Sequence, residues 1–124
     1  MLLKDMQAHL EYIALKREVL SMANRKALET ISRLAEKHQF EVFIANGPVY
    51  IGLYEDSSFQ KYYGALKTEL ERITGNNPHL HYILNPPMTF DKEDLQSVDH
   101  VTATATQTYS TRLAAEMRSL SPTE

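Results

Sequence analysis

The sequence predicts a single α+β domain spanning residues 1–124, on three observations. Both ends carry long segments with apolar residues at helical spacing, the middle carries short runs rich in Val, Ile, Phe and Tyr, and Asn46-Gly47-Pro48, Asn76-Asn77-Pro78 and Pro86-Pro87 punctuate those runs. The expected order is an N-terminal helix or helix pair, a β-hairpin, a helix, a third strand and a C-terminal helical region, with a fourth strand at 101–109 as the alternative.

The opening segment, Met1 to about Ser21, holds two apolar stripes where a surface helix needs one. Leu3, Met6, Leu10, Ile13 and Leu20 form the first; Ala8, Tyr12, Leu15, Val19 and Met22 form the second. A helix with two apolar faces is expected to lie between its own domain and a second body. A second helix is expected from about Asn24 to Lys37, on the line Ala27, Leu28, Ile31, Leu34, Ala35. Positions 3, 6, 10, 13, 17, 20, 24, 27, 31 and 34 also follow coiled-coil spacing, broken only by Arg17 and Asn24, so a kinked helix pair and a continuous coil are both open.

Next, Phe40 to Ala45 and Val49 to Tyr54 read as a hairpin around Asn46-Gly47. Pro48 lacks the donor that a two-residue turn requires, so a four-residue loop, Ala45 to Pro48, is expected. That register pairs Ile44 with Val49, Val42 with Ile51 and Phe40 with Leu53, leaving Phe43, Tyr50 and Tyr54 on the opposite face. A helix enters through Asp56 or Ser57, with Gln60 placed for a capping box. It follows Phe59, Tyr62, Tyr63, Leu66, Leu70 and Ile73, and stops at Gly75. His79 to Asn85 is the third strand. In the last third, alternating Thr102, Thr104, Thr106 and Thr108 suit a strand, whereas Leu95, Val98, Ala105, Tyr109, Leu113, Met117 and Leu120 follow a longer helical stripe. A helix from about Asp91 to Leu120, bent near Asp99-His100, is therefore favoured.

Composition bounds the function classes. The 124 residues are 43% hydrophobic and 23% charged, enough for one modest core. There is no cysteine, which removes disulfides, thiolate metal sites and a cysteine nucleophile. No signal-peptide or membrane-spanning run is found, so a soluble, cytoplasmic protein is expected. A net charge of −3 is too mild to indicate a strong nucleic-acid binder.

No nucleophile elbow, phosphate-binding glycine loop or HExxH occurs. No catalytic residue, metal site or cofactor is assigned. His79 and His81 share a strand face, with His100 or Asp99 as an added ligand, but two histidines do not make a zinc site. The acids Glu55-Asp56 and Asp91, Glu93, Asp94 precede or open helices, where capping accounts for them.

Together these readings point to a small non-enzymatic protein-interaction module whose partner is another protein or a second copy, joined in a homodimer. Tyr12, Leu15, Val19, Met22, Phe43, Tyr50 and Tyr54 are its expected contact residues. The alternative is a nucleic-acid-binding regulator that uses Arg25, Lys26, Arg33 and Lys37 on the second helix, a stripe that also includes Thr30.

Overall fold

The computed structural model describes residues 2–15 and 18–121. Met1 and Arg17, both used in the sequence reading of the first helix, lie outside the described residues. The chain is of mixed helix and strand, with long helices toward both ends and short strands between them.

Helix α1 runs Leu2–Leu15 and α2 runs Met22–His38. The intervening Glu18–Ser21 backbone is not helical, so the two form a helix pair and not one continuous coil. The break has a local cause. Ser21 is extended and its hydroxyl accepts the Asn24 N–H at 3.1 Å, capping α2 three residues earlier than the sequence suggested. At the other end Gln39 adopts φ 59°, and its N–H returns to the Ala35 carbonyl.

Strand β1, Val42–Ala45, does not fold back on the next strand. It pairs in parallel with β3, Leu80–Ile83, in the register Val42 to Leu80 through Ala45 to Ile83. The expected hairpin is therefore absent. After Asn46-Gly47-Pro48 the chain continues forward into β2, Val49–Tyr50, which pairs in parallel with β4, Thr89–Phe90. Residues Ile51–Tyr54, expected as the second half of the hairpin, instead wind into the one-turn helix α3. At Gly52 an added Cβ would meet the far end of the Tyr50 ring, which would have to move aside.

Helix α4, Ser57–Gly75, is the crossover between β1 and β3 that a parallel pair requires. Asp56 caps it, accepting from Ser58 N–H at 2.9 Å and Phe59 N–H at 3.3 Å. Gln60 reaches back to the Tyr54 carbonyl instead of forming a capping box with Ser57. Between β4 and the last helix lie a single 3-10 turn, Lys92–Asp94, and an antiparallel pair, β5 Leu95–Ser97 with β6 His100–Val101. The helix predicted from Asp91 thus begins only as α5, Ala103–Leu120. Thr102 caps it through the Ala105 N–H, so the threonine run is helical and the fourth strand at 101–109 is not formed.

Two apolar clusters hold the fold. In one, Ala35, Ile73 and Leu80 meet beneath Leu20, Leu28 and Val42, joining α2 and α4 to one face of the β1–β3 pair. In the other, Val49, Leu53 and Val98 are covered by Leu2, Met6 and Leu10 of α1 with Tyr50, Tyr54 and Phe59. Buried apolar surface stabilises by about 25 cal/mol per Å². These side chains are thus the main favourable term. The cis Asn85–Pro86 bond and Leu84 at φ 52° shape the loop after β3.

Candidate functional site

The two stripes of α1 meet different fates. Leu2, Met6 and Leu10 face inward, and Asp5 adds a polar tie by accepting the Val98 N–H at 2.9 Å. On the same side His9 Nε2 lies 3.4 Å from Asp99. Leu3, expected on the inner stripe, is instead exposed. The second stripe faces out, with Leu15 83% and Tyr12 63% exposed, and Met22 at the start of α2 is 67% exposed. Val19 is half-buried and lines, with Ile13 and Ala14, a cleft of about 350 Å³ against Ser58, Lys61, Tyr62 and Ala65 of α4. Four of the predicted contact residues are thus brought to one end of the α1–α2 pair.

The other three do not share a face. Phe43 on β1 stacks on His81 of β3, ring centroids 5.0 Å apart at 24°. Tyr50 packs on the Val49–Leu53–Val98 cluster. Tyr54 lies in α3 against Phe59 and Tyr63, at 6.3 and 6.1 Å. Their common face was a property of the hairpin register and disappears with it.

The basic stripe is reduced. Arg25 turns toward α4 and pairs with Glu69, whose carboxyl is held below the usual range by hydrogen bonds from Arg72 and Arg25. Lys26, Arg33 and Lys37 stay on the exposed side of α2, Arg33 donating to the Thr30 hydroxyl at 3.2 Å.

Two polar groupings were not anticipated. Glu41, just before β1, places one carboxylate oxygen 2.6 Å from His79 Nδ1 and the other 3.1 Å from His81 Nε2. These bonds, His79 first, hold its carboxyl below the ordinary carboxylate range against the opposing effect of burial. The two histidines do share a face, but they spend it on one carboxylate. The second grouping gathers where β1 and β3 end. Tyr82 donates to Asn46 Oδ1 and Tyr109 of α5 to the Asn46 carbonyl, both at 2.9 Å, while Asn46 Nδ2 donates to the Leu84 carbonyl at 3.0 Å. Tyr63 donates to Asn85 beside it, and burial pushes the Tyr63 phenol up to about 12. Only the position of Asn46 after an apolar run signalled this in sequence, and turn chemistry explained it equally well.

Ser97, Asp99 and His100 also meet, in the β5–β6 turn. Ser97 Oγ is 2.6 Å and Asp99 Oδ1 2.8 Å from the same nitrogen, His100 Nδ1. A Ser-His-Asp relay needs the two oxygens at opposite ring nitrogens, so within itself the trio is a turn network. Among the described residues no group of three or more His, Asp or Glu is arranged to hold a metal ion. Among the described residues no helix is long and apolar enough to cross a membrane.

The class these features define is a small mixed helix-strand protein with an outward apolar row on its first helix. No family model, curated protein or solved structure matches the chain.

Proposed function

We propose that the chain is a non-enzymatic protein-interaction module, a regulator, adaptor, inhibitor or chaperone-like protein, that self-associates through α1. The observation that carries this reading is the outward row of α1, where Ala8, Tyr12 and Leu15 are exposed while Leu2, Met6 and Leu10 pack inward.

The magnitude sets the expected affinity. A 14-residue helix is about 21 Å long, so one face of it offers about 200 Å², well under the roughly 800 Å² per partner of a standard interface. The adjoining cleft at Val19, Ile13 and Tyr62 and the exposed Met22 must therefore contribute. A weak dimer, with a dissociation constant on the order of micromolar, is the expectation.

Sedimentation across a concentration series tests this. Dimer at tens of micromolar, shifted to monomer by Leu15→Asp with the fold intact, supports the reading; a monomer throughout ends it. The nucleic-acid alternative now has Lys26, Arg33 and Lys37 without Arg25, and no further observation favours it.

A further inference from the structure

Strand β1 has an outer edge whose hydrogen-bonding groups are unused. The Val42 N–H bonds to the His79 carbonyl at 2.8 Å and the Asn46 N–H to the Ile83 carbonyl at 3.3 Å, so even-numbered residues of β1 face β3. In a parallel ladder the alternate residues, Phe43 and Ala45, then direct N–H and C=O the other way. Among the described residues no strand lies there and no backbone hydrogen bond takes those groups up. Ala45 is exposed.

Among the described residues of β1 nothing guards this edge. Native edges are blunted by lysine, proline or inward charge, yet Val42–Ala45 carries no charge, and the neighbouring Glu41 is held by His79 and His81.

Helix α2 packs beside α4 on the Val42–Leu80 face of the β1–β3 pair. Arg25 pairs with Glu69 of α4, and Ser32 accepts from Asn77 just before β3, which fixes the α2 flank facing α4. Turning about the axis at about 100° per residue, Leu28 and Ala35 come next, against Val42 and Leu80, and then Ile31, Ala27 and Leu34. That far flank projects beyond β1, away from β3. Ile31 is 38% and Leu34 43% exposed there, and Phe40, in the connection from α2 to β1, is 43% exposed. Open backbone groups beneath an apolar roof specify the occupant's chemistry: an extended, uncharged segment.

We propose that the outer edge of β1 accepts a β-strand from another polypeptide, a Val/Ile/Leu-rich segment running parallel to β1 beneath Ile31, Leu34 and Phe40. The parallel sense follows the existing β1–β3 pair, since purely parallel sheets are over-represented among sheets. The inference is independent of α1, and Leu15→Asp leaves it intact.

Amide hydrogen exchange read by NMR tests it, with a lysine-flanked Val-Ile-Leu-Val peptide as probe. In the free protein Phe43 and Ala45 amides are expected to exchange at least about tenfold faster than those of Val42 and Ile44. The peptide slows Phe43 and Ala45 selectively, and the same peptide N-methylated along its centre does not. Ala45→Pro removes the outward donor while sparing the β3 ladder, and weakens peptide binding about tenfold or more with Val42 and Ile44 still protected. Three results overturn the proposal: Phe43 and Ala45 already protected in dilute free protein, no selective protection at millimolar peptide, or binding unchanged in Ala45→Pro. Protection that appears without peptide and rises with protein concentration assigns the edge to a second copy and overturns the stated occupant.

Discussion

The Tyr109 hydroxyl donates to the backbone carbonyl of Asn46 at 2.9 Å, tying α5 to the residue that follows β1. Tyr109→Phe deletes that donor and leaves a part-buried carbonyl short of one partner. A loss of about 1–2 kcal/mol is expected in urea unfolding, with little change in the slope of the transition.

Burial separates core side chains from those exposed on α1. Leu53 is fully buried between Val49 and Val98, so Leu53→Ala is expected to cost about 2–5 kcal/mol. Leu15→Ala, at an 83% exposed position, is expected to change monomer stability by less than about 0.5 kcal/mol. A large loss at Leu15 in dilute solution would place it inside the fold.

The threonine run contains one cap and several passengers. Thr102 accepts the Ala105 N–H at the start of α5, and Thr102→Ala is expected to cost about 1 kcal/mol. Thr104 and Thr108 are exposed, and alanine at either is expected to be neutral or to gain a few tenths of a kcal/mol. Thermal unfolding of the three single variants gives the order directly.

Glu41 has its carboxyl lowered by His79 and His81. A group depressed in the folded state stabilises above its unfolded value, about 4.3, and that contribution disappears as pH falls through the folded value. Stability of the native sequence should therefore drop on acidification below about pH 4.5. Glu41→Gln should start lower at neutral pH and show a shallower acid decline.

Tyr63 titrates in the opposite sense. Its phenol is raised to about 12, chiefly by burial, so the neutral form is favoured in the fold. Its contribution is complete below the ordinary value of about 10 and is lost as pH rises from there toward 12. Ultraviolet titration of Tyr63→Phe against the native sequence should remove the latest-ionising tyrosine. An unchanged upper limb would assign that behaviour to Tyr82 or Tyr109, both also raised by burial.

The long helices were legible because periodicity over fourteen or more residues is hard to mistake, and α2 and α4 carry their own caps, whereas one-turn α3 was read as a strand and α5 was expected to begin about twelve residues too early. The strand pairing was not. Val42–Ala45 is apolar at every position, a pattern that fits either a half-buried hairpin or a parallel strand buried on both faces. Asn46-Gly47-Pro48 tilted the reading toward a turn, whereas the Asn46 side chain and carbonyl are used by Tyr82 and Tyr109, thirty-six and sixty-three positions away. No local rule reports such partners. The outward row of α1 was legible, since a helix with two apolar stripes and one body to dock against must show one of them. The open edge of β1 was invisible until β3 was seen to occupy the other side.

Asp5 and Val98 are joined by a hydrogen bond across 93 positions of sequence. During synthesis at about 5–20 residues per second, α1 is made before Val98 and waits for several seconds until that partner exists. Throughout that interval its inner Leu2, Met6 and Leu10 are as unsheltered as Leu15, so the nascent helix displays both apolar stripes to whatever is nearby.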